Sequence, residues 1–222
     1  MNHTIAFGDS DDLAFFGKVN ASISHELKNI LAIISEAAGL LQDLTEMATK
    51  GQTFEPEMLR TCSQDIVEEI QRGFATINQM NKFSHSADDP VKEVSLVELV
   101  DLMIAVAKFL SFASKVQLDP VPAPAPMVLT CPFRLQNLIY LALVYAFELA
   151  GPDGQIRIGI KPQPDRSAHI TFTGFDPGNA IPFASDKTKK IAASIGVDIR
   201  ETPDLQSFDL IVPENFKAEQ KP

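Results

Sequence analysis

Eight apolar residues, Ile23, Leu27, Ile30, Ile34, Ala37, Leu41, Leu44 and Ala48, follow one another at spacings of 4, 3, 4, 3, 4, 3 and 4. Such alternation keeps them on one side of an α-helix and closes every seven residues, the rhythm of a helix that packs along another helix. The periodic segment runs from about Asp12 to Ala48 and stops at a polar break, Thr49-Lys50-Gly51-Gln52-Thr53. A second helical pattern, from about Pro56 to Phe83, places Leu59, Cys62, Ile66, Ile70, Gly73, Ile77 and Met80 on one face, and Pro56 suits a first helical turn. Two long helices joined by a short loop predict an antiparallel hairpin. Each apolar stripe is too extensive for one neighbour to cover, so the expected solution is a dimeric four-helix bundle, with packing on a second domain as the alternative.

Polar residues from Ser84 to Glu93, with Pro90, read as a hinge. The expected organisation is a hairpin over residues 1–84, a linker over 85–94 and a second domain over 95–222. In that domain an apolar helix is expected over Leu96 to Ala113, and short strands at Lys115 to Leu118 and Met127 to Thr130. Pro120, Pro122, Pro124 and Pro126 between them fit an extended segment. Pro132 opens a helix to about Ala150, ended by Gly151-Pro152-Asp153-Gly154. Alternating strands follow at Gln155 to Ile160 and Ala168 to Thr173, then a helix at Asp186 to Ile195 and a strand at Phe208 to Val212. The fold class is α plus α/β: a helical hairpin followed by an α/β sandwich, a mixed sheet with helices on one face.

Nineteen Lys and Arg against 29 Asp and Glu give a net charge of -10 and no basic stripe, which argues against nucleic acid and against anionic membranes as partners. No apolar run is long enough to span a bilayer and no signal-like N-terminus is present, so a cytoplasmic location is expected. Cys62 and Cys131 lie far apart, outside ligand-like spacing, and read as reduced core thiols; no metal site is expected.

With Leu27 and Ile34 at heptad position a and Ile30 and Ala37 at d, His25 falls at f, facing solvent. An exposed imidazole keeps one ring nitrogen unprotonated near neutral pH and can attack phosphorus. Glu26 stands next to it at the expected helix surface, where a carboxylate could take the proton of the other nitrogen. Asn29 lies one turn on, on the same side. His3, His85 and His169 show no such company in the sequence.

The string Ser22-Ile-Ser-His25-Glu26-Leu27-Lys28-Asn29-Ile30-Leu31 resembles the H-box of sensor histidine kinases, which commonly carry Ser-His-Glu-Leu, Arg or Lys, Thr or Asn, Pro-Leu. Ile30 replaces the usual proline. The resemblance implies that His25 carries a phosphoryl group exchanged with the aspartate of a response-regulator receiver domain. It further implies that Glu26 acts as base, that Asn29 assists phosphatase chemistry, and that the outer face with Ser22 and Lys28 contacts the partner.

The second domain resembles the ATP-binding domain of the same family in order of elements, but not in its nucleotide motifs. The two asparagines expected on the helix that holds Mg²⁺ fall on Leu141 and Tyr145, and Asn137 is a full turn displaced. The adenine loop is best matched by Gly174-Phe175-Asp176-Pro177-Gly178, in which Gly174 occupies the place of the adenine-binding carboxylate. Pro182-Phe-Ala-Ser-Asp186-Lys187-Thr188 lacks the glycines of a phosphate loop. No cofactor is therefore expected, ATP least of all, and any Mg²⁺ would come with the receiver. The resulting expectation is a homodimeric phosphorelay histidine phosphotransferase. A divergent kinase with weak ATP use and a non-catalytic regulatory dimer are the alternatives.

Overall fold

A computed structural model describes residues 10–108, 115–121, 123–151, 153–175, 181–204 and 206–216. Expectations resting on His3, residues 109–113, Pro122, Pro152 and Asp176-Pro177-Gly178 lie outside those residues. The chain divides into two compact units. One is Gly17–Lys82; the other joins the N-terminal segment through Phe16 to everything from Phe83 onward.

The first unit is the hairpin. Helix α1 spans Ser10–Thr49 and α2 spans Pro56–His85. The loop between them closes with Gly51 in the left-handed region at φ +73. The Gln52 amide donates to the Met47 carbonyl and the Gly51 amide to the Ala48 carbonyl, both at 3.0 Å. These two bonds close the last turn of α1 onto its own carbonyls, and the left-handed residue they need is a glycine.

Packing inside one hairpin uses only half of the heptad stripe. Ile23, Ile30, Ala37 and Leu44, all at d, are buried, whereas Leu27, Ile34 and Leu41 at a are half-buried. The α2 face differs from expectation in the same way. Its inward side is Cys62, Ile66, Glu69, Gly73, Thr76 and Met80, while Leu59, Ile70 and Ile77 are exposed together with Val67 and Phe74. Gly73 sits where the helices meet: a Cβ there would lie 3.6 Å from Cγ2 of Ile30.

The second unit is built on a five-stranded mixed sheet. Its strands are β2 (Lys115–Leu118), β4 (Gln155–Pro162), β5 (Ala168–Thr173), β6 (Asp198–Glu201) and β7 (Phe208–Val212), in the order β2-β4-β5-β7-β6. In this sheet β2 and β4 run parallel, and the pairs β4–β5, β5–β7 and β7–β6 are antiparallel. A separate antiparallel pair joins β1 (Lys92–Ser95) to β3 (Met127–Thr130). Among the described residues the unit also holds the helices α3 (Leu96–Ala107), α4 (Pro132–Ala150) and α5 (Asp186–Ser194).

Period-two alternation puts Ile156, Ile158, Ile160, Ile170, Phe172, Phe208, Leu210 and Val212 on the buried face of the sheet. Helix α4 is apolar nearly all round and is buried from Phe133 to Phe147 along most of its length. Ser95 caps α3 by accepting from the Glu98 amide, and Ser185 caps α5 by accepting from the Thr188 amide. The start of α1 belongs to this unit: Phe15 packs against Phe83, Phe133 and Tyr140 at centroid distances of 5.4, 5.3 and 5.2 Å.

The hairpin followed by an α/β domain agrees with the expected fold. Two strands went unforeseen. All but the last residue of β1, Lys92 to Val94, fell within the expected linker, and Asp-Ile-Arg-Glu of β6 alternates too weakly to show as a strand. Cys62 and Cys131 are both free and buried, as expected.

Candidate phosphoacceptor site

His25 sits in the middle of α1 with its imidazole exposed, as its heptad position requires. Asn29, one turn later, turns its side-chain amide onto the ring: Nδ2 lies 3.3 Å from Nδ1 of His25. Three to four residues is the spacing that makes helix neighbours, so this contact follows from the sequence directly. Ser22 is half-buried and its hydroxyl donates to the Lys18 carbonyl at 3.0 Å, while the Lys28 side chain is exposed.

Glu26 departs from expectation. It is buried, 3% exposed, and points into the hairpin rather than lying beside His25 at the helix surface. The reason is its register: Val19, Ile23, Glu26 and Ile30 form one buried line at spacings of 4, 3 and 4. A carboxylate there needs a charged partner, and Arg72 of α2 supplies it, its guanidinium donating to Oε1 of Glu26.

Arg72 also reaches both carboxylate oxygens of Glu69 at 3.1 Å, so one half-exposed guanidinium bridges two acids. Partial burial works against the Arg72 charge. The hydrogen bonds and charges of Glu26 and Glu69 more than offset it and push its pKa above the ordinary value. Sequence reading missed Arg72. The signal available was Glu69 and Thr76 falling in register with Cys62, Ile66, Gly73 and Met80, which marks a partly polar inward face.

Two other histidines have acidic neighbours that the sequence did not suggest. His85 Nδ1, on the last residue of α2, lies 2.7 Å from Oδ2 of Asp88, both side chains being exposed, and His169 Nδ1 lies 3.9 Å from Oδ2 of Asp209 across the β5–β7 pair. Neither stands in a helical register like that of His25. Among the described residues no group of three or more His, Cys, Asp or Glu side chains could hold a metal ion.

In the second unit, the positions aligned with nucleotide contacts are occupied in other ways. Tyr145 packs against Phe183 and Phe208 at 5.4 and 5.6 Å between centroids, and Phe208 stacks on Phe172 and on Phe183, each at 4.8 Å. Phe175 adds a fifth ring, 5.9 Å from Phe208. These separations are those of favourable aromatic pairs. Leu141 is half-buried, and Asn137 is buried with no partner for its Nδ2 among the described residues. Gly174 has φ +92, and a Cβ at this position would run into the Gln155 carbonyl oxygen, so the backbone admits no side chain where the adenine-binding carboxylate would stand. The Phe183 amide donates to Oε1 of Glu201 at 2.6 Å.

Residues 17–88 match the family model of the His Kinase A (phospho-acceptor) domain. That match contains His25, Glu26, Asn29 and Arg72 together. No curated protein matches the chain. Among solved structures the chain is similar to the mycobacterial sensor histidine kinase MprB, at 12% identity over 57% of this chain and 99% of that one, with a TM-score of 0.45. It is also similar to the ATP-binding domain of PrrB from Mycobacterium tuberculosis, at 15% identity over 57% and 98%, TM-score 0.44. A third is the histidine kinase ThkA in complex with the response regulator TrrA, at 16% identity over 94% and 64%, TM-score 0.42. Among the described residues no helix is long and apolar enough to cross a membrane.

Proposed function

We propose that this chain is a homodimeric histidine phosphotransferase that exchanges a phosphoryl group between His25 and receiver-domain aspartates. The observation that carries this reading is the exposed imidazole of His25, engaged by Asn29, inside the segment that matches the phosphoacceptor family. In the transfer, a ring nitrogen lone pair of His25 attacks phosphorus of an aspartyl phosphate. A P–N bond forms, the P–O bond to the carboxylate breaks, and the carboxylate leaves with the electron pair. The reverse step regenerates free His25. Such chemistry asks the donor helix for an accessible nucleophile and a docking surface, here the outer face of α1 with Ser22 and Lys28.

The geometry of the second unit supports transfer over self-phosphorylation from ATP. A nucleotide does not fit the residues present: Tyr145 belongs to a packed aromatic cluster, Gly174 admits no carboxylate, and Asn137 is buried. Dimerisation is supported by the apolar stripe that one hairpin leaves open. Leu59, Val67, Ile70, Phe74 and Ile77 on α2 are each between 37% and 65% exposed, and Leu31 on α1 is 64% exposed.

The test is incubation of the full chain with a receiver domain phosphorylated on its aspartate. Acid-labile, alkali-stable label appearing on the chain and absent from His25→Ala supports the reading. Label taken from Mg-ATP alone would replace it with an autokinase.

A further inference from the structure

We infer that Asn29 is the positioning residue that sets the tautomer of His25, a task that the carboxylate of Glu26 does not perform in this structure. The inference rests on the proposed phosphoacceptor role for its purpose, but not for its evidence. Two observations carry it. Glu26 is buried and held by Arg72 on the inward side of the hairpin, so the acidic neighbour of the histidine is committed elsewhere. The Asn29 amide lies 3.3 Å from Nδ1 of His25, within hydrogen-bond reach.

A neutral imidazole carries one proton, on Nδ1 or on Nε2, and the nitrogen without it is the nucleophile. With Nδ1 engaged by Asn29, Nε2 is the nitrogen left to meet phosphorus. In the structure the amide presents its NH₂, which donates to an Nδ1 lone pair and so favours the proton on Nε2, a resting tautomer. Turning the amide by 180° presents Oδ1 instead. The carbonyl then accepts from Nδ1–H and leaves the Nε2 lone pair free to attack. One side chain thus has a face for each state, and the turn needs no change in the helix.

The same contact serves the return step. Once Nε2 carries the phosphoryl group, a proton on Nδ1 makes the ring a neutral leaving group when the P–N bond breaks, and Oδ1 of Asn29, turned toward the ring, holds that proton. A part in phosphatase chemistry alone, the role that the resemblance implies for Asn29, would leave the tautomer of the free ring unaffected by substitution.

The experiment is ¹⁵N NMR of histidine-labelled full chain, as wild type, Asn29→Ala and Asn29→Asp, at a pH where titration of each protein shows the ring neutral. His25→Ala identifies the resonances. Aspartate can only accept, so Asn29→Asp is expected to shift the ring toward Nδ1–H, with Nδ1 moving to the protonated and Nε2 to the unprotonated end of the range. Wild type is expected to lie on the opposite side of Asn29→Ala, toward Nε2–H. Identical His25 shifts in all three proteins would overturn the inference. Because the shifts are read without phosphoryl transfer, a tautomer that responds in a chain that never accepts phosphate would fault the proposed function alone. A chain that transfers through His25 with unresponsive shifts would fault this inference alone.

Discussion

Arg72 on the second helix of the hairpin holds the carboxylate of Glu26 on the first, and thereby turns the residue next to His25 into the seam between the helices. Adjacent residues on a helix point about 100° apart, so an exposed His25 and a buried Glu26 are compatible neighbours. The pair makes the seam partly polar at the level of His25, and Glu69 on the far side of the guanidinium fixes the position of Arg72.

Removing the guanidinium leaves Glu26 buried without its partner. Arg72→Ala is expected to destabilise the hairpin by about 2 kcal/mol, at the lower end for a broken buried pair because Arg72 itself is half-exposed. Glu26→Gln in the Arg72→Ala background is expected to recover much of that loss. Chemical denaturation of the four proteins measures the coupling, and purely additive losses would contradict it.

The open stripe on α2 makes a prediction about assembly. Replacing Ile70 and Phe74 by Glu places two charges on a face that the proposed bundle buries, while neither side chain is buried within one hairpin. Sedimentation is expected to show a dimer for the parent chain and a monomer with unchanged helix content for the double variant. A parent chain that sediments as a monomer would contradict the dimer.

Much of this was legible in the sequence because periodicity carries it. The hairpin, the outward face of His25 and the Asn29 contact all follow from helical spacing. The inward turn of Glu26 did not show, because the first helix has apolar residues on two adjoining lines. A heptad drawn through Leu27 and Ile34 hides the line Val19, Ile23, Glu26, Ile30 that the hairpin buries. Strand β6 was missed for a different reason: Asp198, Arg200 and Glu201 make a charged edge strand, and such charge protects an edge while erasing its apolar signal. The departure from the nucleotide motifs was legible residue by residue. The packing of four rings around Phe208 was not, since those residues come from separate elements.

A glycine in mid-helix offers a test of the hairpin packing. A Cβ on Gly73 would meet Ile30 at 3.6 Å, an ordinary van der Waals contact, so alanine fits. Gly73→Ala is expected to stabilise the chain by about 0.5–1 kcal/mol through helix propensity. A loss of stability in thermal unfolding would mean that the helices lie closer together than this contact allows.

Alkaline pH tests the core of the second unit. Burial pushes the Tyr140 hydroxyl up from 10.0 to about 12. Burial likewise raises Tyr145, with the Glu201 charge adding to it, and burial raises the Cys131 thiol above its ordinary 9.0. Each group is neutral when protonated and keeps its proton longer in the folded chain. Stability is therefore complete below about pH 9 and falls as pH rises toward 12, with about 2–3 kcal/mol lost to Tyr140. Denaturation across pH 8 to 12 is expected to show this decline and a shallower one for Tyr140→Phe. Equal slopes would place Tyr140 outside the titrating core.

The most direct measurement of the central claim follows label from a receiver domain, phosphorylated on its aspartate, onto the purified chain without ATP. The account predicts acid-labile label on the wild type within the lifetime of the aspartyl phosphate, and none on a folded His25→Ala variant. A wild type that stays unlabelled with every receiver domain offered, or label that persists in His25→Ala, would contradict it.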